Sequence, residues 1–434
     1  MENILAQASK VAEEAEVFAV AAEETQVQFE ANRLKHLQTK QQTSVALRIV
    51  RQGRIGYATT TEPGDRRNLV KNAVETAQFG MSAQFQLPAP GSYPQVEVFD
   101  AETGSVSTEE MIKLGEELIT AVTGHTPSII CEAEVAKGVI SVRIMNSRGG
   151  QAQYRKSFFS LGIEGNLISG TDMLFVGESE SSCHPLSESR PVAEVVLQQL
   201  EFAKSQASVP SKSLPVIFTP NGVASALIMP LMAAFNGKTV LEGASPIGNR
   251  RGQLVFDQKL WLWDDPTIVF RPSSRPCDDE GIPSQRTPLV EGGTVTSFLY
   301  DLQTAALANT RSTGNGGRSH GGLPAPTPSA FIIAPGKVTF TEMVQDIKEG
   351  LVIEQLMGAG QGNILGGDFS GNVLLGYKVE SGKIAGRVKD TMVSGNVYQV
   401  LKEIAALGSE AKWVGSFLQT PHIYCPSLSV ASKG

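Results

Sequence analysis

Two spacings of hydrophobic residues alternate along the first eighty positions. Ile4, Leu5, Ala8, Val11, Ala12 and Ala15 recur at helical intervals over residues 2–15, and Val70, Ala73, Val74, Ala77 and Met81 repeat that spacing. Each stretch predicts an amphipathic helix. Between them the period drops to two: Val27 and Phe29, then Val45, Leu47 and Ile49, alternate with polar residues. Arg51-Gln52-Gly53-Arg54 supplies a turn, and Ile55 and Tyr57 follow it. These residues predict an antiparallel meander with one solvated face.

The same grammar returns after the break at Leu87-Pro88-Ala89-Pro90-Gly91. Ser107 and Glu110 have the spacing of a capping box, and the helix they open buries Met111, Leu114, Leu118, Ile119 and Val122. A second hairpin is expected from the alternation of Ile140, Val142 and Ile144, a turn at Asn146–Gly150, and an outgoing arm through Tyr154, Phe158 and Ile163. A helix from Pro191, with Val192, Val195, Val196, Gln199 and Ala203 on one face, ends this half.

Residues 204–213 are small and polar, which places a domain boundary there. Beyond it, short β-like runs (Leu214–Thr219, Thr294–Tyr300, Ala330–Ala334) lie among frequent Gly and Pro. A helical pattern returns only at Val397–Ala406. The predicted class is α+β: residues 1–207 form a domain of antiparallel sheet with flanking helices, and residues 208–434 form a β-rich, barrel-like domain. Asn309–Ser329 is too rich in Gly and Pro to pack and too long for a turn, so it is expected as a mobile flap or surface loop.

Composition narrows the function classes. The chain has 434 residues, 41% hydrophobic and 19% charged, as globular proteins have, and its net charge of -7 lacks the basic excess that nucleic-acid phosphates demand. The start at Met1-Glu2-Asn3 carries no basic and apolar leader, and no apolar run reaches membrane-spanning length, so a cytoplasmic location without membrane contact is expected. Cys131, Cys183, Cys277 and Cys425 are too scattered for a disulfide framework or a zinc ribbon.

Candidate chemistry is sparse. Gly237-Lys238-Thr239 ends like a P-loop, but Met232 stands where its first glycine is required. Gly358-Ala359-Gly360-Gln361-Gly362-Asn363 lacks dinucleotide-binding spacing and reads as a structural turn. No two of the five histidines, at 36, 125, 184, 320 and 422, stand three to five residues apart, and His422-x-x-Cys425 lies in a strand-like run that sends neighbours to opposite faces. The carboxylate clusters Asp264-Asp265 and Asp278-Asp279-Glu280 sit beside Pro or Gly, and solvated turns are expected there.

One long segment is more specific. Gly367-Asp368-Phe369-Ser370-Gly371-Asn372 and its continuation to Ile384, then Arg387-Val388-Lys389-Asp390-Thr391-Met392-Val393-Ser394-Gly395-Asn396, resemble the signature of the TldD/PmbA family, also called modulators of DNA gyrase. Asp278-Asp279-Glu280-Gly281-Ile282-Pro283 and the Arg148-Gly149 turn extend the similarity over nearly the whole chain. The resemblance implies a pair of related subunits. A TldD-type chain carries a zinc-binding His-Glu-x-x-x-His helix, and a PmbA-type chain, also called TldE, lacks it; together they act on unfolded or small peptides. The corresponding helix here is Gly222–Gly237, with Ile228 and Ala233 at the histidine positions and Met229 at the glutamate position. These side chains can neither bind zinc nor activate its water.

The resemblance therefore implies a non-catalytic subunit with no cofactor of its own and zinc in its partner, a TldD-like HExxxH paralogue. A homodimer is possible when that partner is absent. Gly316, Gly317, Gly360, Gly362 and Asp368 are candidates for a peptide groove. Two alternatives remain open: an independent metal-dependent peptidase using His320, His422 and Cys425, or a regulatory module that binds a protein such as DNA gyrase.

Overall fold

A computed structural model describes every residue except Pro63, Asp65, His320, Gly321 and Gly434. Six antiparallel strands form the N-terminal sheet: β1 (Glu14–Glu30), β2 (Arg33–Arg51), β3 (Arg54–Thr60), β4 (Ile130–Asn146), β5 (Gln151–Ser169) and β6 (Asp172–Ser182). Their spatial order is β3-β2-β1-β4-β5-β6, so two meanders meet along β1 and β4 with Val20 opposite Val142. The helices of this half are α1 (Glu2–Ala8), α2 (Arg66–Ala77), α3 (Ala101–Ser105), α4 (Thr108–His125) and α5 (Arg190–Phe202).

Alternation sends successive side chains of β1 to opposite faces. Ala15 and Val17 pack with Leu47 and Ile49 under α1 and α2. Val27 and Phe29, near the far end, pack with Met111, Leu118 and Val122 of α4 and Val196 of α5. The Ser107 capping box forms as expected. The first helix is shorter than its spacing predicts, because pairing of Glu14 with Val50 draws the backbone into the sheet. A stripe made mostly of alanine offers little burial to oppose that ladder. The second helix stops at Ala77. Gly80 then lies so close to the Ile55 carbonyl that a Cβ there would stand 1.7 Å from its oxygen, leaving Met81 outside the helix.

The C-terminal half is built on a twelve-stranded sheet. Within it, Lys212–Phe218 pairs with Glu349–Met357, which pairs with Asp368–Glu380, which pairs with Thr391–Asn396. Both Thr391–Asn396 and Lys212–Phe218 then pair with Leu418–Ser432, closing a five-strand barrel. Phe218, Leu351, Ile353, Phe369, Val393 and Ile423 fill one of its cores. The helix expected over Val397–Ala406 is a single turn, Val397–Val400, capped by Asn396. Ala406 already belongs to a strand against Tyr424, and Leu401 and Ile404 are buried from the intervening loop. A compact turn over a core thus mimicked helical spacing.

The halves share interior surface. Ile217, Val352, Tyr377 and Tyr424 of the barrel lie in the same apolar cluster as α4 and α5. A buried Arg387 guanidinium grips Asp172 on β6 and also donates to the Met173 carbonyl at 2.9 Å. No helix among the described residues is long and apolar enough to cross a membrane.

Candidate functional site

Glu16 and Arg48 are register partners on β1 and β2, on the face opposite Val17 and Leu47. Arg48 donates from Nη2 to Glu16 Oε2 at 2.8 Å and from Nη1 to Glu280 Oε1 at 2.6 Å. Glu280 Oε2 accepts from the Leu302 backbone N–H at 2.7 Å, and the Arg318 guanidinium closes on the other oxygen of Glu16. Asp278 accepts from the backbone N–H groups of Glu280, Ile282 and Gly316 at 3.0, 2.9 and 2.8 Å. Asp264 accepts from Asn315 Nδ2 and the Ser329 N–H, each at 2.7 Å.

The solvated carboxylates expected from sequence are therefore a correction: Asp264, Asp278 and Glu280 are 0% exposed. Asp279 is partly buried, bonded to the Arg318 N–H at 2.8 Å and paired with Arg275 at 3.4 Å. Asp265 also stays partly open to solvent, accepting from the Thr267 N–H at 3.0 Å. Several partners come from other segments, from Gly316, Asn315 and Ser329 to the distant Arg48, which local composition does not reveal. Burial is the largest influence on Arg48 and opposes its charge, yet Glu16 and Glu280 outweigh it and hold the guanidinium above its ordinary value. Burial pushes Glu280 up against the pull of Arg48, and desolvation likewise raises Asp264 to about 6.

The Asn309–Ser329 stretch also departs from expectation. Its middle packs while Asn309–Arg311 stay exposed: Gly316–Gly317 pair with Ala325–Pro326, and Asn315 is buried. Gly316 lies so close to Glu280 that a Cβ would stand 2.5 Å from Oε2. His320 falls outside the described residues.

The stretch aligned with the zinc helix is broken in two. α6 (Pro220–Ala226) is capped by Thr219, and α7 (Ile228–Phe235) restarts after Leu227, with Pro230 in its first turn where a missing N–H costs nothing. Ile228 is buried in the apolar core, Met229 is 53% exposed and Ala233 is partly buried. A core sec-butyl chain, an outward thioether and a methyl do not fit zinc. Among the described residues, no three His, Cys, Asp or Glu side chains gather to hold a metal. Cys425 lies in the barrel core and His422 stacks on Phe340 at 4.7 Å, its pKa lowered by burial to about 4.

The remaining predicted positions flank α7. The Tyr398 hydroxyl lies 3.4 Å from the Pro230 carbonyl and 3.1 Å from that of Leu365, placing the Gly358–Asp368 segment near the start of α7. Gly360 and Gly362 belong to a short turn around a 3-10 segment, and Asp368 accepts from Asn396 at 2.8 Å on the surface. Asn236, just past the end of α7, donates to the Pro326 carbonyl of the Gly316–Gly317 hairpin at 2.8 Å. Eight helical residues, about 12 Å, separate these ends, so the two glycine segments stand at opposite ends of α7.

Two features escaped the sequence. Glu354 accepts from the Thr219 hydroxyl at 2.8 Å, and burial, with Glu178 nearby, raises it to about 7. Both acids occupy ordinary strand positions that carry no signal. The larger feature is a cavity of about 1000 Å³ between the N-terminal sheet and the C-terminal loops. Phe18, Val20 and Val142 line its floor, Lys156 and Tyr154 one side, and Arg275 and Phe417 its cover. Arg318, next to Gly317, lines it too, whereas Gly360, Gly362 and Asp368 do not. Alternation on β5 was visible in sequence, but not the cover laid over it.

Residues 211–432 match the PmbA/TldA metallopeptidase C-terminal domain, and residues 15–77 match domain 1 of the same family. An uncharacterized protein of Methanocaldococcus jannaschii is 26% identical over 415 residues, covering 94% of each chain. The fold matches the crystal structure of TldE from Thermococcus kodakarensis with a TM-score of 0.91 at 21% identity, covering 100% of both chains. It also matches a putative modulator of a DNA gyrase from Thermotoga maritima with a TM-score of 0.89 at 21% identity over 99% of both. None of its five histidines is followed by glutamate, so the sequence holds no His-Glu-x-x-x-His motif, and the chain belongs to the TldD/PmbA metallopeptidase family as a PmbA/TldE-like member.

Proposed function

We propose that this chain is the non-catalytic subunit of a two-chain zinc metallopeptidase that degrades unfolded proteins or matures small peptides. It contributes half of the enclosure while an HExxxH paralogue contributes the metal. The observation that carries this is the pairing of a complete family fold with a helix whose three catalytic positions hold an aliphatic, a thioether and a methyl group. The exposed faces of Met229 and Leu365, on either side of Tyr398, support a contact surface in the same place.

Co-expression with the HExxxH paralogue from the same genome tests the assignment. The pair is expected to co-purify with zinc in proportion to the paralogue, and this chain purified alone to hold none in stoichiometric amount. Stoichiometric zinc in this chain alone contradicts it.

A further inference from the structure

The cavity above the N-terminal sheet has an ordered floor. Across the strands, Ser44, Val20, Val142 and Tyr154 form one row of register partners, and Gln42, Ala22, Ile140 and Lys156 form the next. Each row is apolar in the middle and polar at both ends. Four strands at about 4.8 Å spacing make the floor roughly 14 Å wide, the length of about four extended residues.

The two ends are not equivalent. At the β5 end, Lys156 donates to the Pro272 carbonyl at 3.0 Å and forms no ion pair among the described residues. The neighbouring Tyr154 hydroxyl makes no hydrogen bond among them either. The other cations of the cavity have their counter-charges: Arg275 has Asp279, and Arg318 has Glu16. The remaining acid, Glu62, is exposed at the rim. A partly buried ammonium with a single carbonyl partner, drawn besides only by the Asp279 charge that Arg275 already engages, has an anion as its natural complement. Burial, followed by the Arg275 charge, lowers the Lys156 pKa, the influence an incoming carboxylate offsets.

We infer that this cavity receives the C-terminal end of a short apolar peptide, its free carboxylate seated between Lys156 and Tyr154 and its side chains on Val20, Ile140 and Val142. This rests on the peptide-handling assignment for the class of ligand. It adds a substrate preference: free C-termini, apolar last residues, and engagement by the subunit that carries no zinc. The cover formed by Pro272, Phe417 and the Thr327–Ser329 segment excludes a folded domain and admits a chain end.

The test uses the full chain alone, so it does not depend on the paralogue. Fluorescence anisotropy measures binding of N-terminally labelled Ala-Val-Leu-Phe as the free acid, as the C-terminal amide, and extended by Glu as an amide. The free acid is expected to bind at least tenfold more tightly than either amide. Lys156→Met is expected to abolish that preference, and Tyr154→Phe, which removes a hydroxyl alone, to reduce it severalfold, with thermal unfolding reporting that each variant is folded. If Lys156→Met does not fold, Tyr154→Phe decides. Equal binding of acid and amide, no binding of either, an amidated Glu peptide that binds as well as the free acid, or an unchanged preference in the folded variants overturns the inference. Loss of peptidase activity in the two-chain mixture with this binding intact overturns the subunit assignment instead.

Discussion

Arg48 bridges two buried carboxylates and no solvent can replace it, so its removal leaves Glu280 without its counter-charge and Glu16 with Arg318 alone. Arg48→Met is expected to destabilise the protein by about 3–5 kcal/mol in denaturant unfolding, far above the range of a surface ion pair. A change below 1 kcal/mol would show that the network is dispensable. Glu354 gives a pH signature. Its folded value, about 7, exceeds its ordinary 4.5, so the stability linked to its protonated form is complete below 4.5 and is lost as pH rises through 7. Glu354→Gln cannot ionise and is expected to exceed the parent in stability by about 1–2 kcal/mol at pH 8.5, after allowance for its partial exposure. The two should coincide near pH 4; a constant difference across that range contradicts the assignment. At this scale, sequence showed that no histidine is followed by the glutamate of a His-Glu-x-x-x-His motif. It did not show Lys156, Glu354 or the burial of Glu280, because each acquires its meaning from a partner brought by the fold.

Alternation and capping made the N-terminal elements legible: the turns after Arg51 and Asn146, the Ser107 cap and the helix at Pro191 all stand where the pattern places them. Failures occurred where small or apolar residues follow two periods at once, as at Ala12–Ala15 and Leu401–Ala406. The C-terminal runs indicated β structure, but barrel closure depends on Thr391–Asn396 meeting Leu418–Ser432, a pairing no local pattern encodes. The seating of α6 gives an element-scale prediction. A Cβ on Gly222 would meet the Ile353 carbonyl oxygen at 2.2 Å, and that oxygen belongs to a barrel strand that cannot step aside. Gly222→Ala is expected to cost about 1–3 kcal/mol, and Gly360→Ala, which faces open space, to stay within about 0.5 kcal/mol. Equal effects in thermal or denaturant unfolding would contradict the close approach of helix to barrel.

Across the whole molecule, the segments that resemble the family signature serve mainly as joints. Glu280 fastens the C-terminal loops to the N-terminal sheet through Arg48, Asp278 ties those loops to one another, and Arg387 fastens the barrel to β6. The resemblance therefore identified the family through contacts that hold its two halves together, in a chain whose zinc helix is empty of ligands. The most direct measurement is hydrolysis of an unfolded protein by this chain, by the HExxxH paralogue and by the two mixed, each with and without a chelator. The account predicts activity in the mixture alone, abolished by the chelator. Chelator-sensitive hydrolysis by this chain alone would contradict it.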